Sequence, residues 1–296
     1  MSEPIVYDNS AVVLFTDNEL DTIPTNATAI PTNATAIPTN ATAIPTNATI
    51  IIPNATESWT FDNSVNGSKF VGKVTMQNGS GINLEGEGYV SSSGESTSGL
   101  SNLTITAWVK PSFDGSAEFT VVSKENSFEL TINNILEPKR IAKFSIFDGI
   151  KWHTIETTST LGSDWSHLAA TFNGTAMVIY TNGTISNSNT IIETVSIVNA
   201  EGSLEPKKPG LVESHSDVVI GASLDNTRTV DDVKNQFTGK IHDVTIYDEY
   251  LNAEQIKEIY LRSLPLIFTS DYSSEAVQQE TEASPSTENE TEERDR

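Results

Sequence analysis

Residues 103–109 read Leu-Thr-Ile-Thr-Ala-Trp-Val, a run in which the side chains alternate with a period of two. Successive side chains of an extended strand point to opposite faces of a sheet. The odd-numbered residues from Leu103 to Val109 therefore share one face, and Thr104, Thr106 and Trp108 share the other. We predict a strand here, and we expect an alanine at Thr104 to cost much less stability than an alanine at Leu103.

Similar runs continue from Trp59 to Tyr247, each bounded by Gly, Asn, Asp or Pro. Consecutive runs are joined by Asp148-Gly149, Asn173-Gly174 and Asn182-Gly183, dipeptides that are typical of tight β-hairpins. This number of strands favours a two-sheet sandwich over a small barrel. We therefore predict an all-β fold of two antiparallel sheets.

One short helix follows the last strand. Asn252 is a suitable N-cap residue with Gln255 three positions later, and Ile256, Ile259 and Tyr260 form an apolar stripe. The sequence thus predicts a single helix that closes the domain.

Charge and composition divide the chain into three parts: a spacer at 1–56, a folded domain at 57–268 and a tail at 269–296. The 296 residues have a net charge of −23. The spacer contains acidic residues and no Lys or Arg, and the tail is rich in Glu, Ser and Thr with little apolar content. Such a tail cannot bury enough surface to offset the entropy of ordering, so we predict that it is disordered.

The spacer contains the repeat Pro-Thr-Asn-Ala-Thr-Ala-Ile, which begins at Pro24 and recurs every seven residues. Proline in each repeat excludes a coiled coil and favours an extended, polyproline-like chain. Each repeat carries an Asn-x-Thr sequon, which predicts a glycosylated stalk, although chance in an Asn/Thr-rich sequence is the alternative. The candidate glycosylation residues of the whole chain are Asn26, Asn33, Asn40, Asn47, Asn54, Asn66, Asn78, Asn102, Asn173, Asn182 and Asn289.

The overall composition narrows the function classes. A strongly acidic surface repels nucleic-acid phosphates and anionic lipids, so neither is an expected partner. The chain has no Cys, which excludes disulfides, thiolate metal sites and a Cys nucleophile. No apolar run reaches the roughly 20 residues that span a bilayer, so we expect no membrane insertion, and the acidic start lacks the features of a signal peptide.

Several motifs together resemble one family. They are Leu103-Thr-Ile-Thr-Ala-Trp-Val-Lys-Pro111, Trp165-Ser-His-Leu-Ala-Ala-Thr-Phe-Asn-Gly174, Val178-Ile-Tyr-Thr-Asn-Gly183, Val219-Ile-Gly-Ala222 and Phe237-Thr-Gly-Lys-Ile-His-Asp-Val-Thr-Ile-Tyr247. In this order they resemble the laminin G-like, concanavalin A-like jellyroll domains. The resemblance implies a jellyroll sandwich and a lectin-like or glucanase-like ancestry. It also implies that Trp59, Trp108 and Trp165 belong to the framework.

Enzymes occur on this fold, so catalytic motifs need a direct test. Glycosidases of sandwich folds place two carboxylates on one strand face as Glu-x-Asp-x-x-Glu, and no such run is present. The sequence also lacks His-Glu-x-x-His and Gly-x-Ser-x-Gly. The four histidines (His153, His167, His215 and His242) are scattered, and we interpret them as structural or surface residues. We therefore predict no catalytic residues and no enzymatic activity.

Calcium is the one ion that the resemblance implies, and no other cofactor is expected. The matching positions are Asp62 and Asp243, and the apolar spacing around Asp243 predicts a β-bulge that would turn its carboxylate sideways. His242 replaces an Asp that is frequent in relatives, so two solvated carboxylates without an ion are the alternative.

A sugar site needs an aromatic ring beside polar groups, because the apolar face of a sugar stacks on the ring while its hydroxyls form hydrogen bonds. The best local match comprises Phe147, Asp148, Trp152 and His153. The alternative is that Trp152 only covers the sheet. We predict a non-catalytic recognition or adhesion module at the cell surface or outside the cell, with a glycan or a surface protein as its partner. The alternative is a structural component of a surface layer, appendage or fibre.

Overall fold

A computed structural model describes residues 49–61, 67–77, 81–135, 140–190, 195–198, 204–207, 211–225 and 232–264. Within these residues the chain forms seventeen strands, a 3-10 turn at Glu95–Thr97 and one helix, α1, at 253–264. The strands are β1 (Glu57–Trp59), β2 (Lys69–Gln77), β3 (Gly81–Ser92), β4 (Leu103–Pro111), β5 (Glu118–Lys124), β6 (Phe128–Asn133), β7 (Ala142–Phe147), β8 (Trp152–Glu156), β9 (Ser166–Phe172), β10 (Ala176–Thr181), β11 (Thr184–Thr190), β12 (Val195–Val198), β13 (Leu204–Lys207), β14 (Val218–Ile220), β15 (Ser223–Asp225), β16 (Asp232–Lys234) and β17 (Thr238–Tyr247).

Thirteen of these strands form one continuous antiparallel sheet that folds into two layers. Its order is β11-β10-β9-β4-β17-β3-β14-β5-β6-β7-β8, with β1 added beside β17 and β2 beside β3. Strand β3 belongs to both layers, because its first half pairs with β17 and its last residues pair with β14. Two small hairpins, β12-β13 and β15-β16, complete the described strands. The predicted jellyroll sandwich and its single C-terminal helix are confirmed.

The three predicted hairpins are present. Asp148-Gly149 joins β7 to β8, Asn173-Gly174 joins β9 to β10, and Asn182-Gly183 joins β10 to β11. The main core lies between the two layers, where Leu103 and Phe172 are fully buried as the alternation predicts.

The opposite face of β4 is also buried, which the alternation alone did not indicate. Trp108 packs against α1, where its Nε1 donates to Ser263 Oγ at 2.9 Å. Thr104 is fully buried, and its Oγ1 donates to Glu249 O at 2.7 Å and accepts from Leu251 N at 3.0 Å. The burial of Thr104 contradicts the premise of a small cost there, since truncation would leave the buried N–H of Leu251 without this partner.

The predicted capping box of α1 is confirmed. Gln255 N donates to Asn252 Oδ1 at 2.9 Å, and Asn252 N donates to Gln255 Oε1 at 3.0 Å. Ile256 and Ile259 pack on the sheet, and the ring of Tyr260 stacks on Trp108 at 5.7 Å between centroids.

Residues 49–56 follow the same side of the domain. Gln255 Nε2 donates to Ile51 O at 2.9 Å, and Ile52 packs against the apolar cluster beneath α1. Thr56 N donates to Ile246 O, just before β1 pairs with β17. The predicted limits of the folded domain stay predictions, but these residues contact it. The rest of the predicted spacer, the acidic tail and Asp62 lie outside the described residues.

Candidate functional site

The β7–β8 turn is held rigidly by one carboxylate. Asp148 Oδ1 accepts hydrogen bonds from the backbone N–H groups of Ile150 and Lys151, both at 2.8 Å. Its other oxygen, Oδ2, lies 2.7 Å from His153 Nε2. Gly149 has a φ of 94°, which a residue with a Cβ rarely adopts. These hydrogen bonds and the glycine conformation together shape the turn.

The side chain of Asp148 is buried, and its hydrogen bonds determine the direction of its pKa shift. The side chain is only 3% exposed, so burial by itself would raise its pKa. The hydrogen bonds from Lys151, His153 and Ile150 outweigh burial and lower the pKa. Asp148 and His153 thus position the hairpin. Their side chains contact each other, and Asp148 also accepts hydrogen bonds from the backbone of the turn.

The two aromatic residues of the hairpin lie side by side on the outer face of the sheet. Phe147 pairs with Trp152 across the strands, and their ring centroids are 5.4 Å apart. Phe147 is half-buried, whereas Trp152 remains 43% exposed. An exposed indole that is supported from one side offers a flat apolar surface to a ligand.

Trp152 lines a shallow depression of about 350 Å³. Its other walls come from the β5–β6 hairpin and from β15 and β16, which are distant in sequence. The lining residues are Ser123, Lys124, Glu125, Asn126, Phe128, Glu129, Trp152, Ser223, Leu224 and Lys234. Sequence reasoning missed all of these except Trp152. The local signal that could have indicated the β5–β6 hairpin is Asn126, because Asn is favoured at turn positions with a positive φ. In the structure Asn126 has a φ of 55°.

Two ionisable groups of the depression have shifted pKa values. Burial and the nearby Glu118 raise the pKa of Glu129, while a hydrogen bond with Ser145 and the charge of Lys143 oppose the shift. Burial lowers the pKa of Lys124 to about 8. Lys124 Nζ donates to Gly94 O at 2.5 Å and to Thr97 Oγ1 at 3.0 Å, so this amine holds the neighbouring 3-10 turn.

A second cavity of about 290 Å³ lies between α1 and the sheet, and it contains Asp243. The predicted bulge is confirmed, because the β4–β17 register shifts between His242 and Thr245 and Asp243 has a φ of 58°. Asp243 shares the cavity with His167 and the guanidinium of Arg262.

This cavity does not fit calcium from its own described residues. Calcium prefers six to eight oxygen ligands, whereas Asp243 is the one carboxylate among the described lining residues, and the cationic Arg262 lines the same cavity. Among the residues that the structure describes, no three His, Asp or Glu side chains cluster as a metal site. Asp62 lies outside those residues, so the pairing of Asp62 with Asp243 stays a prediction.

His167 has a structural environment. The residue is 1% exposed, and burial lowers its pKa to about 3. Its ring packs against Trp108 and Tyr260 at 5.3 and 5.8 Å between centroids. His167 is therefore neutral at physiological pH and acts as part of the packing beneath α1.

A third depression brings together a Ser, a His and an Asp without the geometry of a hydrolase. Ser91 Oγ donates to Asp217 Oδ2 at 2.5 Å, and His215 Nδ1 lies 3.1 Å from Glu95 Oε2. A nucleophilic serine needs its hydroxyl bonded to the imidazole, with the carboxylate on the far ring nitrogen. These three residues therefore do not form a proton relay.

Four predicted glycosylation residues fall in the described part of the chain. Asn54, Asn173 and Asn182 are exposed and Asn102 is half-buried. Asn173 Oδ1 accepts a hydrogen bond from Thr175 Oγ1 of its own sequon at 3.1 Å. The other seven, Asn26, Asn33, Asn40, Asn47, Asn66, Asn78 and Asn289, lie outside the described residues.

The family is decided by a sequence model. A laminin G model described as concanavalin A-like lectin/glucanases superfamily matches residues 84–257, more than half of the chain. The chain belongs to this superfamily. No curated protein sequence matches it. The described residues include no helix that is long and apolar enough to cross a membrane.

Three solved structures illustrate what the chain is similar to. The binding domain of botulinum neurotoxin serotype G has a TM-score of 0.50 and 17% identity, covering 71% of this superfamily member and 51% of the neurotoxin chain. Domain 4 of an extracellular arabinanase from Geobacillus stearothermophilus, in complex with arabinotriose, has a TM-score of 0.49 and 16% identity. The match covers 70% of the present chain and 98% of the arabinanase domain. The CBM40 of a Ruminococcus gnavus IT-sialidase, bound to α2,3-sialyllactose, has a TM-score of 0.40 and 15% identity. The match covers 55% of the present chain and 83% of the CBM40 chain. At 17% identity, the similarity to the neurotoxin domain concerns the fold alone.

Proposed function

We propose that this protein is a non-catalytic carbohydrate-binding module that binds its ligand in the depression beside Trp152. One observation carries the proposal. A supported and exposed indole borders a depression whose remaining walls carry hydroxyl, amide, carboxylate and amine groups. A sugar ring can stack on Trp152 while its hydroxyls bond to the polar groups of β5 and β6.

The surrounding contacts support binding rather than turnover. The depression is shallow, and Asp148 and His153 are engaged with each other at 2.7 Å. The hydrogen bonds that hold the hairpin also favour affinity, because ordering it costs less when a ligand binds. Membership in a lectin and glucanase superfamily is consistent with this role.

The protein would act at the cell surface or outside the cell, on a glycosylated spacer formed by its N-terminal repeat. This part of the proposal rests on the repeated sequons between Pro24 and Asn54. Mass spectrometry of the protein from its native cells, before and after enzymatic removal of N-glycans, tests it. An unchanged mass would contradict a glycosylated stalk.

The binding proposal is tested with the full chain on a glycan array, with two matched variants. Trp152→Ala removes the stacking surface, and Ile150→Ala is the control. Ile150 is 64% exposed on the same hairpin but does not line the depression. We expect Trp152→Ala to weaken binding at least tenfold, equivalent to about 1.4 kcal/mol, and Ile150→Ala to leave it unchanged.

Three results would overturn the proposal. Equal effects of the two variants would place the ligand elsewhere. Absence of binding to any glycan, together with self-association of the chain, would favour the structural alternative. Hydrolysis of a polysaccharide by the purified protein, abolished by changing one carboxylate, would show that it is an enzyme.

A further inference from the structure

We propose that the groove between α1 and the sheet, which holds Ile52-Pro53 of the chain itself, also binds the Ile-Pro steps in the N-terminal repeat of a second copy. Copies of the protein would then be linked through their spacers. The groove is the site of the 290 Å³ cavity described above, and it shares no lining residue with the depression beside Trp152. The inference is therefore independent of the proposed glycan site.

The segment that now occupies the groove is anchored by one side chain. Residues 49–55 belong to no helix or strand. Ile52 is half-buried and packs against the apolar cluster that contains Tyr247 and Ile256. The neighbouring Ile51 is 77% exposed. Ile52 is thus the residue that the groove recognises by shape.

The contacts just before this anchor use the backbone of the segment. Gln255 Nε2 donates to Ile51 O at 2.9 Å, and Arg262 Nη2 donates to Ile50 O at 3.5 Å. Every residue has a carbonyl that can accept such a bond, whatever its side chain. A different sequence can therefore make both contacts if it places an isoleucine where Ile52 lies.

The spacer contains the same anchor several times. Four isoleucines upstream of Ile52 are also followed directly by proline: Ile23, Ile30, Ile37 and Ile44. Proline disfavours the helical conformation for the residue before it and favours an extended one, so these isoleucines share the backbone preference of Ile52. Each repeat thus offers the dipeptide that the groove holds.

The repeats and the resident segment differ after the proline. The repeats read Ile-Pro-Thr-Asn-Ala-Thr, whereas the resident segment reads Ile-Pro-Asn-Ala-Thr and is one residue shorter. The resident Thr56 donates its N–H to Ile246 O and accepts from Asp248 N, both at 2.9 Å. A repeat aligned on its Ile-Pro step places alanine at the position of Thr56, so the side-chain bond is lost. The resident segment is therefore the stronger occupant, and a repeat is a weaker competitor.

A second copy is the occupant that the chain geometry and charge favour. Ile44 lies eight positions before Ile52, so a repeat of the same chain could enter only if the residues between them looped out. A repeat from another copy needs no such loop. Residues 22–56 contain no charged side chain, so the acidic domain of another copy does not repel them. The tethered resident segment has an effective concentration in the millimolar range, so linking should require crowded copies.

Sedimentation velocity of the full chain, produced without glycosylation, tests the inference at concentrations up to about 1 mM. One variant changes the four upstream isoleucines to serine (Ile23→Ser, Ile30→Ser, Ile37→Ser and Ile44→Ser). Its matched control changes four threonines that lie in the same repeats outside the sequons (Thr25→Ser, Thr32→Ser, Thr39→Ser and Thr46→Ser). We expect the unaltered chain and the threonine variant to associate alike, and the isoleucine variant to need roughly tenfold higher concentration or more.

Two further measurements examine the groove itself. Ile52→Ser weakens the resident segment, so it should lower the concentration at which copies associate, and a melting curve verifies that it is folded. A peptide of residues 40–48 should dissociate linked copies of the unaltered chain, whereas the same peptide with Ile44→Ser should not; this measurement needs no change in the domain. Equal association of the isoleucine and threonine variants, equal effects of the two peptides, or an unaltered chain that stays monomeric throughout would each overturn the inference.

Discussion

Thr104 allows a sharp test of how α1 is attached to the sheet. The variant Thr104→Val keeps the size and β-branching of the side chain and removes only the hydroxyl. That hydroxyl accepts from Leu251 N at 3.0 Å and donates to Glu249 O at 2.7 Å, so it fixes the chain just before α1. The structure thus predicts a loss caused by hydrogen bonding rather than by volume.

The magnitude follows from the burial of the two partners. Leu251 is fully buried, so its N–H would remain without a partner, at a cost of roughly 1–3 kcal/mol. Glu249 is exposed, so its carbonyl can turn to water at little cost. We expect a loss of about 2 kcal/mol in the free energy of unfolding. This equals the lower end of the roughly 2–5 kcal/mol expected for Leu103→Ala.

Urea denaturation of the full chain measures the loss. With an m-value of about 2 kcal/mol/M, the midpoint should fall by about 1 M. Thr190→Val is the matched control, because Thr190 is exposed on β11. A midpoint for Thr104→Val that equals that of Thr190→Val would refute the argument that this face of β4 depends on a buried hydroxyl.

Three further predictions concern other parts of the molecule. Burial lowers the pKa of Lys124 to about 8, so above that pH the folded state binds fewer protons than the unfolded chain. The free energy of unfolding should therefore rise between about pH 8 and 10. Lys124→Met should lose this rise while the exposed Lys257→Met retains it, and equal pH profiles for both would contradict the assignment. Limited proteolysis with a non-specific protease should give a fragment that begins near residue 49, since residues 50–56 contact the domain; one that begins beyond 57 would argue against these contacts. If Asp62 and Asp243 hold calcium, chelation should lower the melting temperature and Asp243→Asn should abolish that sensitivity, whereas an unchanged melting curve would contradict the calcium site.

The sequence by itself determined the features that depend on neighbouring residues. The alternation at Leu103 to Val109, the three Gly-containing hairpin turns, the Asn252–Gln255 capping box and the bulge at Asp243 all appear as predicted. Each of them is fixed by backbone geometry within a few residues, and local patterns report that geometry directly. The exposed Trp152 was found in the same way, as an aromatic residue beside a polar turn.

Only the tertiary structure decided what surrounds these elements. Alternation shows that Thr104 and Leu103 face opposite ways, but it cannot show that α1 covers the second face as completely as the sheets cover the first. The depression beside Trp152 likewise combines β5, β6, β8, β15 and β16, whose order in the sheets is set by long-range pairing. Asp148 and His153 were predicted as ligand residues because they are polar groups beside aromatic rings. That role stays a prediction, and the structure adds that their side chains are 2.7 Å apart and largely buried. The burial and charge pairing of the residues in this depression depend on chain segments, such as β5 and β16, that are about a hundred residues apart. No local sequence pattern encodes such contacts.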